Sequence, residues 1–272
     1  MLLFAMAALL ALCGGIVAGS DGIVWSVIAG AIVLPVVGHA PPDMLLRAMG
    51  AHLLTPSQAP DVCASFLALC RDAGLSPVPR LCHIADKTPL AFSLGRGESA
   101  AVVVTDSLLV GLSERELVGI LAHEIVHLRR GDIVMKQLGF VLGTLTRIMA
   151  QLGILMLFFG LLLRALSVSE VPLISLVVLV VAPFAAGLLQ LAMSREREAE
   201  ADLGAAELTG DPAGLAAALI KLQRWQEWRL RRLFPTARPF HLPTLLNDHP
   251  PTAERIRRLL NLAQYRGEHV GQ

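Results

Sequence analysis

The chain is poor in aromatic and charged residues. Phe, Trp and Tyr make up 5% of its 272 residues, with Tyr265 the one tyrosine, and Asp, Glu, Lys and Arg make up 17%. A soluble domain has roughly 25% charged residues, so an ordinary soluble protein is not favoured. The net charge of +1 argues against a nucleic-acid-binding protein, which would have a strongly basic face. Four cysteines are too few for a disulfide scaffold, and we interpret them as free thiols.

Long apolar runs dominate instead, and the mean hydropathy is +0.62. A membrane-spanning helix needs about 20 largely apolar residues. Four segments are candidate spans: 1–18, 22–37, about 138–163, and 171–193. The last clearly has this length, the first nearly has it, and the second is short. The last has no charged residue, which disfavours the alternative of buried helices in a soluble protein. A cleaved signal peptide is disfavoured because the first segment has no positively charged n-region.

Basic residues indicate how these segments are oriented in the bilayer. The first two and the last two of these segments form predicted hairpins, and the short connection within each hairpin carries few charges. The polar segments 39–137 and 194–272, in contrast, carry basic residues near the span ends. The positive-inside rule therefore makes these segments and both termini cytoplasmic. Arg147 interrupts the third span, and we expect it to snorkel to the cytoplasmic interface.

A His-Glu-Ile-Val-His motif beginning at His123 lies on a predicted helix between the hairpins. A capping box at 113–116 marks the helix start, and apolar residues continue with helical periodicity through the motif. His123 and His127 then share one face, with Cβ atoms about 5–6 Å apart, so both can bind one metal ion. Glu124 is offset from that face and can act as the general base.

A catalytic zinc has three protein ligands and one open position. After the fourth apolar segment, a predicted helix offers Glu196, Glu198 and Glu200. Glu198 is preferred because Asp202 lies one turn further along the same face, where it can accept a hydrogen bond from a ligating histidine. Two alternatives stay open: a histidine as the third ligand, and a charged juxtamembrane helix without a metal.

The oxyanion of a tetrahedral intermediate needs a hydrogen-bond donor besides the metal. Tyr265 lies in the polar C-terminal tail without a motif around it, which leaves histidine and arginine as candidates. The His-Pro-Pro turn that begins at His249 places this residue just before a predicted helix, and Arg255 follows it. We predict that both are catalytic; the alternative is that His249 only caps the helix.

A β-branched segment at 100–105 precedes the motif helix. It predicts an edge strand, to which an extended peptide could add as a further strand. The alternative, equally open, is a strand that only packs within a small sheet.

Together these stretches resemble the HtpX heat-shock membrane protease family, which is related to the CAAX prenyl proteases. The resemblance covers about 88–260 and rests on 123–127, 194–202, 208–210, 249–251 and 254–256. It implies a role in clearing damaged or unassembled membrane proteins in a bacterial-type inner membrane. Two departures do not remove a ligand. The family usually has Asn-Ala-Phe-Ala where this chain has Leu-Ala-Phe-Ser at 90–93, and an aromatic residue where it has Ala199.

The sequence therefore predicts a mainly α membrane protein with four transmembrane helices and a zincin-like cytoplasmic catalytic domain with a small β-sheet. The predicted domains are a hairpin at 1–38, a first catalytic segment at 39–137, a second hairpin at 138–193 and a second catalytic segment at 194–272. The predicted function is a zinc endopeptidase with one Zn2+ per chain, acting on membrane proteins or their exposed loops. The alternatives are a peptidase that trims one prenylated or signalling peptide, and a non-enzymatic zinc-binding membrane scaffold.

Overall fold

The computed structural model describes residues 1–38, 42–165, 173–233 and 252–270. These residues are mainly helical, with one small sheet, as predicted. The helices are α1 (Leu2–Gly38), α2 (Pro42–Ala48), α3 (Pro60–Asp72), α4 (Asp106–Gly111), α5 (Glu114–Arg130), α6 (Asp132–Ala165), α7 (Leu173–Thr209), α8 (Pro212–Leu233) and α9 (Thr252–Val270). The strands are β1 (His52–Leu53), β2 (Arg80–Ile84), β3 (Ala91–Leu94) and β4 (Ala101–Thr105).

The described residues divide into two compact units. The first contains 1–38, 134–165 and 173–195, and the second contains 42–133, 196–233 and 252–270. The four cysteines are free and buried, which confirms that no disulfide braces either unit.

The first unit consists of apolar helices. Its α1 is broken at Ala18 and Gly19, and Gly19 has a φ of +62°, a conformation that glycine adopts without steric cost. The two halves then approach closely, since a Cβ atom on Gly14 would clash with the carbonyl oxygen of Gly22. Each half is therefore a separate helix packed against the other.

Two stretches among the described residues are long and apolar enough to cross a membrane, and the first of them includes both halves of α1. The most apolar 18 residues of Leu2–Ile32 have a mean hydropathy of 2.4 and those of Val177–Thr209 one of 2.1, yet only 22% and 24% of these residues are buried. Leu142–Leu155 is a shorter apolar helix. Extensive exposed apolar surface is unusual in a soluble monomer, so a membrane protein is favoured.

The second unit is built on a four-stranded sheet of order β1-β2-β4-β3. Strands β2 and β4 are parallel, and the other pairs are antiparallel. Because β4 pairs on both sides, the prediction of an edge strand at 100–105 is wrong. All five residues of β4 are buried, and a strand covered on both faces is an apolar run without alternation. Next to α5, the edge of the described sheet is β3.

Side-chain alternation divides the core of this unit between the two faces of the sheet. Val102 and Val104 of β4 pack in a cluster with Leu121 and Ile125 of α5. The intervening Ala101 and Val103 pack with residues of α2, β2 and β3 in a second cluster. The helix that carries the His-Glu motif is therefore held against one face of the sheet.

Candidate metal centre

Helix α5 presents the two histidines of the motif side by side. It begins at the predicted position, where the backbone N–H of Ser113 donates to Glu116 Oε2 at 2.8 Å in a capping box. His123 and His127 are 6% and 1% exposed, and their Nε2 atoms lie 3.1 Å apart. Two imidazole nitrogens therefore converge at one buried point.

Glu198 of α7 completes this cluster. Its Oε2 lies 3.3 Å from His123 Nε2 and its Oε1 lies 3.5 Å from His127 Nε2, with the side chain 1% exposed. The two competing glutamates are elsewhere, since Glu196 is exposed and Glu200 pairs with Arg130 at the surface. Two nitrogens and a carboxylate oxygen so close together are a donor set that could hold a metal ion.

A carboxylate lies close to the Nδ1 atom of each imidazole. His123 Nδ1 lies 3.1 Å from Asp202 Oδ1, the partner that the sequence predicts. His127 Nδ1 lies 3.0 Å from Asp132 Oδ2, a partner that the sequence analysis missed. Gly131 ends α5 with a φ of +70°, and this left-handed turn precedes Asp132. The sequence feature that could have indicated this contact is the Gly-Asp pair soon after the second histidine, because the glycine ends the helix and the aspartate follows directly.

Negative charge is concentrated where a cation would bind. Burial lowers the pKa of His123, but hydrogen bonding to Asp202 and Glu198 and the charge of Glu198 outweigh this effect and raise the pKa to about 9. Burial raises the pKa of Asp132, but the hydrogen bond of His127 and the charges of nearby arginines keep that pKa below its usual value. Burial also raises the pKa of Asp202, but the hydrogen bonds of Arg255 and His123 keep that pKa below its usual value. The carboxylates of Asp132 and Asp202 are therefore both suited to accept an imidazole N–H.

Arg255 of α9 is 8% exposed and binds the carboxylates of the cluster. Its Nε and Nη2 each donate to Asp202 at 2.7 Å, and its Nη1 lies 3.0 Å from Glu198 Oε2. The guanidinium thus holds the carboxylates in place, a contact that the sequence did not predict. His249, its predicted catalytic companion, lies outside the described residues.

Glu124 is half-buried and lies outside the converging donor set. Its Oε2 accepts a hydrogen bond of 2.9 Å from the hydroxyl of Ser93 on β3. The motif glutamate therefore lies beside the edge strand of the sheet.

Comparison with known proteins agrees with this geometry. The model of Peptidase family M48 matches residues 56–263. A Protease HtpX homolog of Ralstonia nicotianae is 36% identical over an aligned length of 279 positions, and the alignment covers 97% of this chain and 95% of the relative. Another, of Ralstonia pickettii, is 34% identical over 278 aligned positions, with the same coverage.

Among solved structures, S. mikatae Ste24p has a similar fold. The TM-score is 0.56 at 19% identity, and the match covers 95% of this chain and 61% of that chain. Fold, buried donor set and family match together define a membrane metalloprotease. The chain belongs to peptidase family M48 and, within it, to the HtpX proteases, which confirms the resemblance inferred from the motifs.

Proposed function

We propose that this protein is a zinc-dependent endopeptidase of the membrane, with His123, His127 and Glu198 as the zinc ligands. The observation that carries the proposal is the convergence of their donor atoms. The two Nε2 atoms lie 3.1 Å apart, Glu198 Oε2 lies 3.3 Å from His123 Nε2, and Glu198 Oε1 lies 3.5 Å from His127 Nε2. Zinc binds nitrogen and oxygen at about 2.0–2.2 Å in tetrahedral geometry, which separates neighbouring ligand atoms by about 3.3 Å. The three side chains fit such an ion and leave a fourth position for water or substrate.

Bound zinc would polarise the scissile carbonyl and lower the pKa of water toward about 7. Within this scheme Glu124 is the general base. Its carboxylate takes the proton of the attacking water and later passes it to the leaving amine. Asp132 and Asp202 orient the ligating imidazoles, and Arg255 holds Asp202 and Glu198. His249 is proposed as the donor to the oxyanion.

Strand β3 is the proposed docking edge for an extended substrate. It pairs on one side with β4, and within the described sheet no strand pairs with its other side. An extended peptide can add to such an edge through its main chain. The contact of Ser93 with Glu124 supports this, because a peptide bound along β3 would run beside the general base.

We further propose four transmembrane helices with the catalytic unit and both termini in the cytoplasm. The basic residues of 39–137 and 194–272 support this orientation. A membrane-anchored protease with a cytoplasmic site would act on membrane proteins or their exposed loops. Clearance of damaged membrane proteins is accordingly the proposed role.

The test is proteolysis by the detergent-purified protein, with and without chelator, combined with a measurement of zinc per chain. Glu124→Gln should retain about one zinc per chain but lower kcat by roughly 10²–10⁴-fold, because it removes the base and leaves the ligands. Glu198→Ala should lose the zinc. Glu200→Gln is the matched control, since Glu200 lies on the same helix in a surface ion pair, and it should keep both properties.

Full activity of Glu124→Gln would contradict the mechanism, and normal zinc in Glu198→Ala would contradict the ligand set. Substrate range is a separate readout of the same assay. Cleavage of several unrelated unfolded proteins supports quality control, whereas cleavage of one defined peptide alone would indicate a trimming peptidase.

A further inference from the structure

Ser93 is the third residue of β3, and its side chain lies on the α5 side of the sheet. The alternation of the strand supports this placement. Ala91 packs against the cluster that contains the buried face of α5, whereas Phe92 and Leu94 belong to the cluster on the opposite face. Ser93 shares the face of Ala91, and its hydroxyl donates to Glu124 Oε2 at 2.9 Å.

Both partners of this hydrogen bond are supported by regular structure. Ser93 pairs in register with Val102 of β4, a strand that is buried along its whole length. Glu124 lies on α5, and its neighbour Ile125 is fully buried. Groups held on strands and helices are positioned more accurately than groups on loops. The hydroxyl therefore approaches the carboxylate from a defined direction.

We propose that Ser93 is a positioning residue that orients the carboxylate of Glu124. The inference rests on the proposed role of Glu124 as the base. A carboxylate accepts through both oxygens, so the bond to Oε2 leaves Oε1 available for water. A hydrogen bond to a charged group is stronger than one between neutral groups, and it restricts the rotation of the glutamate side chain. An oriented base reacts faster than one that samples unproductive positions.

Because Ser93 lies on the proposed docking edge, its side chain could also contact the substrate directly. The experiment must separate this role from orientation of Glu124. A side chain that binds substrate would change KM, whereas one that orients the base changes kcat. Backbone groups of β3 would pair with an added peptide, and Ser93→Ala leaves those groups in place. The ratio of the two kinetic effects therefore distinguishes orientation of Glu124 from contact with substrate.

The experiment compares steady-state kinetics and zinc per chain of the full-length protein in detergent. Ser93→Ala should lower kcat roughly tenfold, the equivalent of one hydrogen bond to a charged group, with KM and zinc unchanged. Ser93→Thr and Ser93→Val form a matched pair, because both are β-branched and suited to a strand but only threonine keeps the hydroxyl. Threonine should retain most of kcat and valine should behave as alanine does.

Ser65→Ala is the control for removing a serine beside a glutamate. Its hydroxyl lies 3.4 Å from Glu114 Oε1, and Glu114 is nine residues before His123, about 13 Å along α5. This variant should have unchanged kinetics.

Three results would overturn the inference while wild-type proteolysis stands: an unchanged kcat in Ser93→Ala, a raised KM with normal kcat, or a loss of zinc. Equal rates for Ser93→Thr and Ser93→Val would overturn it too, even if Ser93→Ala does not fold. A wild-type protein without chelator-sensitive proteolysis would instead remove the proposed function, and this inference with it.

Discussion

At the residue scale, the candidate metal centre depends on the carboxylates that contact the two histidines as much as on the proposed ligands themselves. An imidazole with its proton on Nδ1 presents the lone pair of Nε2, and a carboxylate near Nδ1 stabilises that tautomer. Asp202 fulfils this role for His123 and Asp132 for His127. The two carboxylates come from different helices, so the cluster joins α5 with both α6 and α7.

Replacing either outer carboxylate should weaken zinc binding without removing a ligand. We expect Asp132→Asn and Asp202→Asn each to lower zinc affinity by about 10–100-fold, measured by competition with a chelator of known affinity. Asp211→Asn is the matched control, because Asp211 caps α8 and pairs with Arg115 away from the histidines, and asparagine is an equally good cap. A normal affinity in Asp132→Asn would mean that Asp132 only begins α6.

The sequence predicts those residues whose relation is local. His123 and His127 are one turn apart on a helix, and Glu198 precedes Asp202 by one turn, so helical periodicity alone relates each pair. The contacts of Asp132 and Ser93 are different in kind. One depends on the left-handed turn at Gly131 and the other on a strand that lies 31 residues before its partner. Neither the contact of Asp132 with His127 nor that of Ser93 with Glu124 follows from helical periodicity.

At the element scale, the decisive contact is the close approach of α7 to α5. A Cβ atom on Gly204 would lie 2.9 Å from Val126 Cγ1 and 3.1 Å from its Cγ2. Val126 is fully buried and lies between the two histidines of the motif. The glycine therefore allows α7 to come near enough for Glu198 to reach both imidazoles.

Gly204→Ala should separate the two helices slightly, because a valine methyl in a packed core has little room to move. We expect the free energy of unfolding to fall by about 1–3 kcal/mol and zinc affinity to fall with it. Thermal unfolding and chelator competition are the measurements. Gly187→Ala on the same helix is the control, since its Cβ would meet nothing within 4 Å. Unchanged zinc affinity in Gly204→Ala would show that the spacing is not critical.

Element type was predictable where the sequence pattern has one physical cause. The capping box at Ser113 has the single meaning of a helix start, and the structure begins α5 there. The apolar run at 100–105 is compatible with two placements in a sheet, because an edge strand and a central strand can both be rich in β-branched residues. The number of pairing partners is set by β2 and β3, which lie elsewhere in the chain.

At the scale of the whole molecule, the chain combines an apolar helical unit with a unit that contains the candidate metal centre. Long helices connect the two in sequence, since α7 begins in the apolar unit and continues through Glu198 to Thr209. By length and composition, the apolar parts of Leu2–Ile32, which includes both halves of α1, and of Val177–Thr209 are able to cross a bilayer. The direction of insertion is a separate question, which the distribution of charge addresses.

The orientation can be tested with tags at three positions. By the positive-inside rule, a reporter fused after Gln272 should behave as cytoplasmic, and a tag within 167–170 should be reachable from outside the intact cell. A third tag at the exposed Ser57 is the control and should become reachable only after the membrane is permeabilised. The predicted connection at 167–170 has one charged residue, Glu170. The segment around Ser57 lies between Arg47 and Arg71, and the segment before Gln272 contains Arg255, Arg257 and Arg258. An external reporter at Gln272 together with an internal tag at Ser57 would mean an odd number of spans, because two cytoplasmic segments require an even number between them.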